Sequence, residues 1–139
     1  MDTLEEKDII TRLDSYKAIV CLNTIIPLHN EAKVNPIGTW FRCLVKIIHQ
    51  GPQGSERFRW YEMSFFTYWE PGHCVVLCID TPDTLATELE RTLSRDSNRF
   101  NLIDPFSLHI PLMDQIIKLY DKSVWGIRDL IRGIEKVIW

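Results

Sequence analysis

The sequence predicts an α+β fold: an antiparallel sheet meander with flanking helices, closed by a long heptad-patterned C-terminal helix. Two observations carry this reading. Apolar side chains recur at Met113, Ile117, Tyr120, Val124, Ile127, Ile131, Ile134 and Ile138, in alternating steps of four and three. That 3.5-residue period keeps one seam of a helix facing a partner along its length. Upstream, Trp40–His49 and Phe58–Trp69 alternate in character around the turn sequence Gly51-Pro52-Gln53-Gly54-Ser55, which is the pattern of a hairpin.

The elements follow in order within a single domain, 1–139. Residues 1–39 form an N-terminal arm and first strand. Residues 3–17 read as a short polar helix or a frayed arm, with Leu4, Ile9, Ile10 and Leu13 roughly on one side. The β-branched run Ala18–Ile26 suits a buried strand, and Pro27–Pro36 reads as loop. Residues 40–80 are an aromatic antiparallel meander. In its first strand Phe41, Cys43, Val45 and Ile47 share a face, and Glu70-Pro71-Gly72 turns the chain into the apolar strand Cys74–Ile79. A helix over 81–96 starts at Thr81-Pro82-Asp83, where a hydroxyl can cap and proline suits the first turn. The long stalk-like helix, 105–139, accepts Pro111 only in its first turn, and would reach roughly 40 Å at about 1.5 Å per residue.

Composition excludes several function classes. Hydrophobic residues are 45%, charged residues 25% and the net charge is −3, so nothing marks a nucleic-acid surface. Arg128, Arg132 and Lys136 make one basic stripe, but Asp129 and Glu135 flank Arg132 at helical spacing and neutralise it. No apolar run is long enough for membrane insertion, and the acidic start Met1-Asp2-Thr3-Leu4-Glu5-Glu6 lacks a secretory pattern. A cytoplasmic chain is therefore expected, with Cys21, Cys43, Cys74 and Cys78 reduced.

The candidate sites are few. Cys74 and Cys78 share a strand face but stand roughly 13 Å apart at about 3.3 Å per residue, too far for one metal, so they read as structural thiols. The histidines form no spaced pair, and no His-Glu-x-x-His, Gly-x-Ser-x-Gly or phosphate loop occurs. Asp80, between a strand and a helix, reads as a strand end or part of the helix cap. The aromatic strand puts Phe58, Trp60, Glu62, Ser64, Phe66 and Tyr68 on one face, and Arg59, Tyr61, Met63, Phe65, Thr67 and Trp69 on the other. Glu62 among aromatics has the setting that raises a carboxyl pKa toward acid–base use. Gly126 and Gly133, seven apart on the edge of the seam, suggest close approach of another backbone or a bulky neighbour packed over each. Trp125 and Trp139 lie off the seam, in position to cover the sheet.

The segment Asp104-Pro105-Phe106-Ser107-Leu108-His109-Ile110-Pro111-Leu112, followed by Leu119-Tyr120-Asp121-Lys122-Ser123-Val124-Trp125 and Arg128-Asp129-Leu130-Ile131-Arg132-Gly133-Ile134-Glu135-Lys136, resembles the cytosolic part of fungal CorA-like divalent-cation (Mg²⁺) transporter proteins. Phe41–Lys46 and Trp60–Trp69 sit upstream in the corresponding order, so the likeness spans roughly 40–139. It implies an aromatic α/β region leading into a stalk helix. Transport in that family also needs two membrane helices and a Gly-Met-Asn signature. Met63 and Met113 lack the flanking residues, so the chain is expected to be a cytosolic domain without a pore.

Two functions follow as expectations. The first is a non-catalytic regulatory or assembly module that forms a homo-oligomer through the seam Ile117, Tyr120, Val124, Ile127, Ile131 and Ile134. It requires no cofactor, and Mg²⁺ enters by the resemblance alone. The second is a small enzyme or carrier holding an apolar small molecule in an aromatic-lined cup between sheet and long helix. There Trp60 and Trp69 would line the cup, and Glu62, Arg59, Tyr61 and His109 would be the polar groups.

Overall fold

A computed structural model describes residues 8–14, 17–23, 35–96 and 100–139. The elements are β1 (Asp8–Asp14), β2 (Lys17–Asn23), β3 (Ile37–Gln50), β4 (Glu56–Glu70), β5 (His73–Ile79), α1 (Asp83–Arg95) and α2 (His109–Ile138). The strands form one five-stranded antiparallel sheet in the order β1-β2-β5-β4-β3. The meander is thus β3-β4-β5, and β2 and β1 extend it beyond β5. Asp8–Asp14 is a strand paired to β2, where the sequence suggested a polar helix or arm. Pairing along a neighbour overrode the weak helical periodicity there. Residues 3–7, 15–16 and 24–34, including most of the expected loop, lie outside the described residues.

The hairpin turn holds Gln53 at φ 62° and Gly54 at φ 74°, left-handed values that favour glycine at the second position. It fixes the register of β3 on β4, so Val45 stands opposite Tyr61, Cys43 opposite Met63 and Phe41 opposite Phe65. All of these side chains point to one face. On β5 the same face carries Cys74, Val76 and Cys78, which are buried. The two helices lie on this face: α1 contributes Leu85, Ala86, Leu89 and Leu93, and α2 contributes Leu112 and Ile116, to one continuous core around Met63 and Phe65. A sheet whose strands alternate strictly can bury only one face against helices placed on one side.

Buried polar contacts lock the helices in place. The Thr39 hydroxyl meets both the Thr67 hydroxyl and, at 2.9 Å, His109 Nε2, which ties the start of α2 to β3. Trp69 Nε1 donates to the Leu102 carbonyl at 2.8 Å and anchors the segment between the helices. Thr81 does not cap α1. The N-cap position is Pro82, with no side-chain cap bond, and Asp83 supplies the carboxylate of the first turn. Asp80, at φ 52°, accepts the Glu62 N–H at 3.0 Å. Its carboxylate thus continues the β4 ladder just past the last β5 pairing, Ser64 with Ile79.

Candidate functional site

Helix α2 runs alongside β3, the outer strand of the meander. His109 lies by Thr39; further on, Tyr120 Oη donates to the Leu44 carbonyl at 2.9 Å and Ser123 Oγ donates to the Lys46 carbonyl. An edge strand presents unpaired carbonyls that invite another strand. Here two hydroxyls, three residues apart on one helix face, bind two of them. Tyr120 also contacts Cys43. Burial raises the pKa of both groups, and their mutual hydrogen bond opposes the rise at the thiol and adds to it at the phenol.

The helix carries two apolar stripes side by side. One holds Leu112, Ile116, Leu119, Ser123 and Gly126, also in steps of four and three, and is turned to the sheet. A Cβ at Gly126 would stand 3.2 Å from Ile48 Cδ1, so this glycine makes room for an isoleucine of β3. Gly133 has nothing within 4 Å of the same virtual atom. The second stripe is the heptad seam itself; Tyr120 reaches the edge of β3 with its hydroxyl, and the rest of the stripe is exposed. Ile117 is 64% exposed, Val124 63%, Ile131 52% and Ile134 57%, whereas Leu112 in the first stripe is 0%. Tyr120 and Ile127 are each 39% exposed. Beyond Gly126 the helix outruns β3, and Ile127–Ile138 projects as a rod of roughly 18 Å at about 1.5 Å per residue. Every residue from Ile131 to Trp139 is exposed.

The outer flank of the seam is charged and ordered. Asp121 Oδ1 accepts the Trp125 indole N–H at 3.1 Å, and the Arg128 guanidinium lies 4.3 Å from the centre of a Trp125 ring. Trp125 and Trp139 therefore do not cover the sheet. Trp125 stands half exposed as a spacer between two opposite charges, and Trp139 is fully exposed at the end of the rod.

The residues expected around an apolar cup do not converge. Trp60 and Glu62 lie on the open face of the sheet, while Tyr61 and Trp69 are buried on the helix-covered face. Between sheet and helices there is packed core, with Met63, Phe65, Leu89 and Leu112 at 0% exposure. Glu62 is exposed and pairs with Arg42 across the strands, Arg59 reaches Asp80 at 3.9 Å, and His109 engages Thr39. A strand places residues of odd and even number on opposite faces, which separates Glu62 from Tyr61 and Arg59. The open face remains rich in aromatics. Trp40 stacks on Phe66 at 6.4 Å, and the Lys46 ammonium sits 4.3 Å from the Phe58 ring and 5.3 Å from Trp60.

A groove of about 450 Å³ opens between α1, the connecting segment and the start of α2, lined by Thr92, Phe100, Ile110 and Pro111 with Asp96, Asp104 and Asp114. Among the described residues, no three His, Cys, Asp or Glu are grouped so as to hold a metal ion. Cys43, Cys74 and Cys78 form no disulfide, and burial pushes the Cys78 thiol up to about 12. Among the described residues no helix is long and apolar enough to cross a membrane. No family model matches the chain, nor does any curated protein or solved structure.

The sequence pointed to the seam. It did not single out the neighbouring stripe or the hydroxyl pair on the β3 carbonyls. Leu112, Ile116 and Leu119 carry a signal for the former, since they repeat at helical spacing; nothing in the sequence marks Ser123 as a partner of Lys46.

Proposed function

We propose that this chain is a non-catalytic assembly module that oligomerises through the open seam of α2, from Ile117 through Ile134. The observation that carries the reading is the exposure of that stripe, the Tyr120 hydroxyl aside, beside a second stripe turned to the chain's own sheet. Contiguous exposed apolar surface of this kind marks protein–protein contact. Burying an isoleucine side chain is worth about 1.5–3 kcal/mol, and the seam offers a line of them. The likeness to the cytosolic part of CorA-like Mg²⁺ transporters supports the same reading, with α2 in the place of the stalk helix and the module in the cytoplasm, regulating or assembling rather than transporting. Among the described residues no three His, Cys, Asp or Glu are grouped so as to hold a metal ion, and Mg²⁺ enters this reading by the likeness alone. The dispersal of Glu62, Arg59, Tyr61 and His109 favours no catalytic reading.

The test is solution mass by light scattering at micromolar concentration, with and without several millimolar Mg²⁺. Wild type should run at a multiple of 16.4 kDa in both conditions. Ile131→Asp places a charge where the seam would be desolvated, and should give a monomer with unchanged circular dichroism, its melting temperature lowered only by the stabilisation that association contributes. A wild-type monomer at all concentrations would overturn the proposal.

A further inference from the structure

Resting on the assembly reading above, we propose that the occupant of the seam is a second copy of α2 running antiparallel, with its projecting rod lying beside the first copy's sheet-bound half. The steps of four and three are palindromic about a point between Trp125 and Gly126. Turned end for end, Ile117 meets Ile134 of the second copy, Tyr120 meets Ile131, and Val124 meets Ile127. A parallel pair would also align the seam, so the flanks decide between them.

One flank is apolar: Ile116, Ser123, Leu130 and Val137. The other is charged: Asp114, Asp121, Arg128 and Glu135. In a parallel pair each flank faces the opposite kind of flank, so Glu135 would lie against Leu130, on the part of the apolar flank that the chain's own sheet does not bury. In an antiparallel pair each flank faces its own kind. Leu130 and Val137 of the second copy then run beside the half of the helix where Ile116 and Ser123 are already buried by their own sheet. On the charged flank Asp121 meets Arg128 of the second copy, twice by symmetry, and Trp125 already holds both groups in place on one side of the helix. Asp114 falls opposite Glu135, but it is engaged by Lys118 at 2.7 Å, and Arg132 lies one turn before Glu135. The arrangement also separates the globular bodies, since each sheet occupies the half of the helix where the other copy has only rod.

The deciding experiment is cross-linking between variants that each add one cysteine, with wild type as the background for the native thiols. Ile117→Cys and Ile134→Cys are oxidised mildly, each alone and then mixed. Cross-linking in the mixture only, about tenfold above either alone, is the expected result, because residues 117 and 117 of two antiparallel copies lie roughly 25 Å apart at about 1.5 Å per residue. Cross-linking of each variant with itself would establish a parallel pair and overturn this inference while leaving assembly standing. No cross-linking above background, whether the mass is monomeric or oligomeric, would remove the seam from the interface and overturn both. A second measurement reads the charged flank. Asp121→Arg and Arg128→Asp should each weaken association about tenfold, and the double variant should restore it. Failure of the double variant to recover would exclude this register.

Discussion

The two stripes of α2 differ in only one respect that the sequence can express, the chemistry of their members, yet their fates are opposite. Leu112, Ile116, Leu119, Ser123 and Gly126 include a hydroxyl and a glycine and are turned to the sheet. Ile117, Val124, Ile131 and Ile134 are uniformly apolar and stand exposed. The stripe that meets the sheet must fit what is already there: a carbonyl edge, which Ser123 satisfies, and Ile48, which Gly126 accommodates. The open stripe has no such fixed neighbours within the chain. Its regularity is what a repeating partner surface demands. The lesson is that local irregularity marks the face fitted to the chain's own sheet, and regularity the face the chain leaves open.

The comparison can be broken most severely on the sheet side. Leu112→Ala removes a side chain at 0% exposure from the middle of the core and should cost about 2–5 kcal/mol, read as a lower denaturation midpoint. The equivalent truncation Ile131→Ala should leave unfolding of the isolated chain within about 0.5 kcal/mol while weakening association. Equal losses from the two would abolish the distinction between the stripes.

A smaller effect sharpens it. Ser123→Ala leaves the Lys46 carbonyl without its hydroxyl donor and should cost about 1 kcal/mol, measured by chemical denaturation. It should also raise hydrogen exchange along β3 near Lys46.

The smallest effect compares the two glycines. Gly133→Ala places a methyl in open space and should stabilise the helix by about 1 kcal/mol, the usual propensity difference. Gly126→Ala gains the same propensity but sets its methyl 3.2 Å from Ile48 Cδ1, so its net gain should be smaller or reversed. Thermal melts of the two variants side by side give the answer.

Much of the architecture was legible in the residues. The alternation of Phe41, Cys43, Val45 and Ile47 and of Tyr61, Met63, Phe65, Thr67 and Trp69 assigned two strands and their buried faces, because a pleated strand admits only period two. Leu85, Leu89 and Leu93 marked the inner side of α1 in the same way. The strand at Asp8–Asp14 was not legible, since polar residues interrupt its pattern, although its partner β2 follows directly in the chain. The supposed cup failed for a related reason: Glu62 and Trp60 were placed on a face correctly, but which face the helices cover cannot be read from one strand.

By itself the sequence determined period and therefore element type, the strict sidedness of β3 and β4, the length of α2 and the self-complementary spacing of its seam. Those properties depend on neighbours along the chain, where backbone geometry is fixed. The tertiary structure decided which sheet face is covered, that β2 and β1 extend the meander beyond β5, that Tyr120 and Ser123 bind the edge of β3, and that α2 outruns it. Each of these depends on residues far apart in the chain, such as Ser123 and Lys46, meeting only after the core around Phe65 and Leu112 has closed.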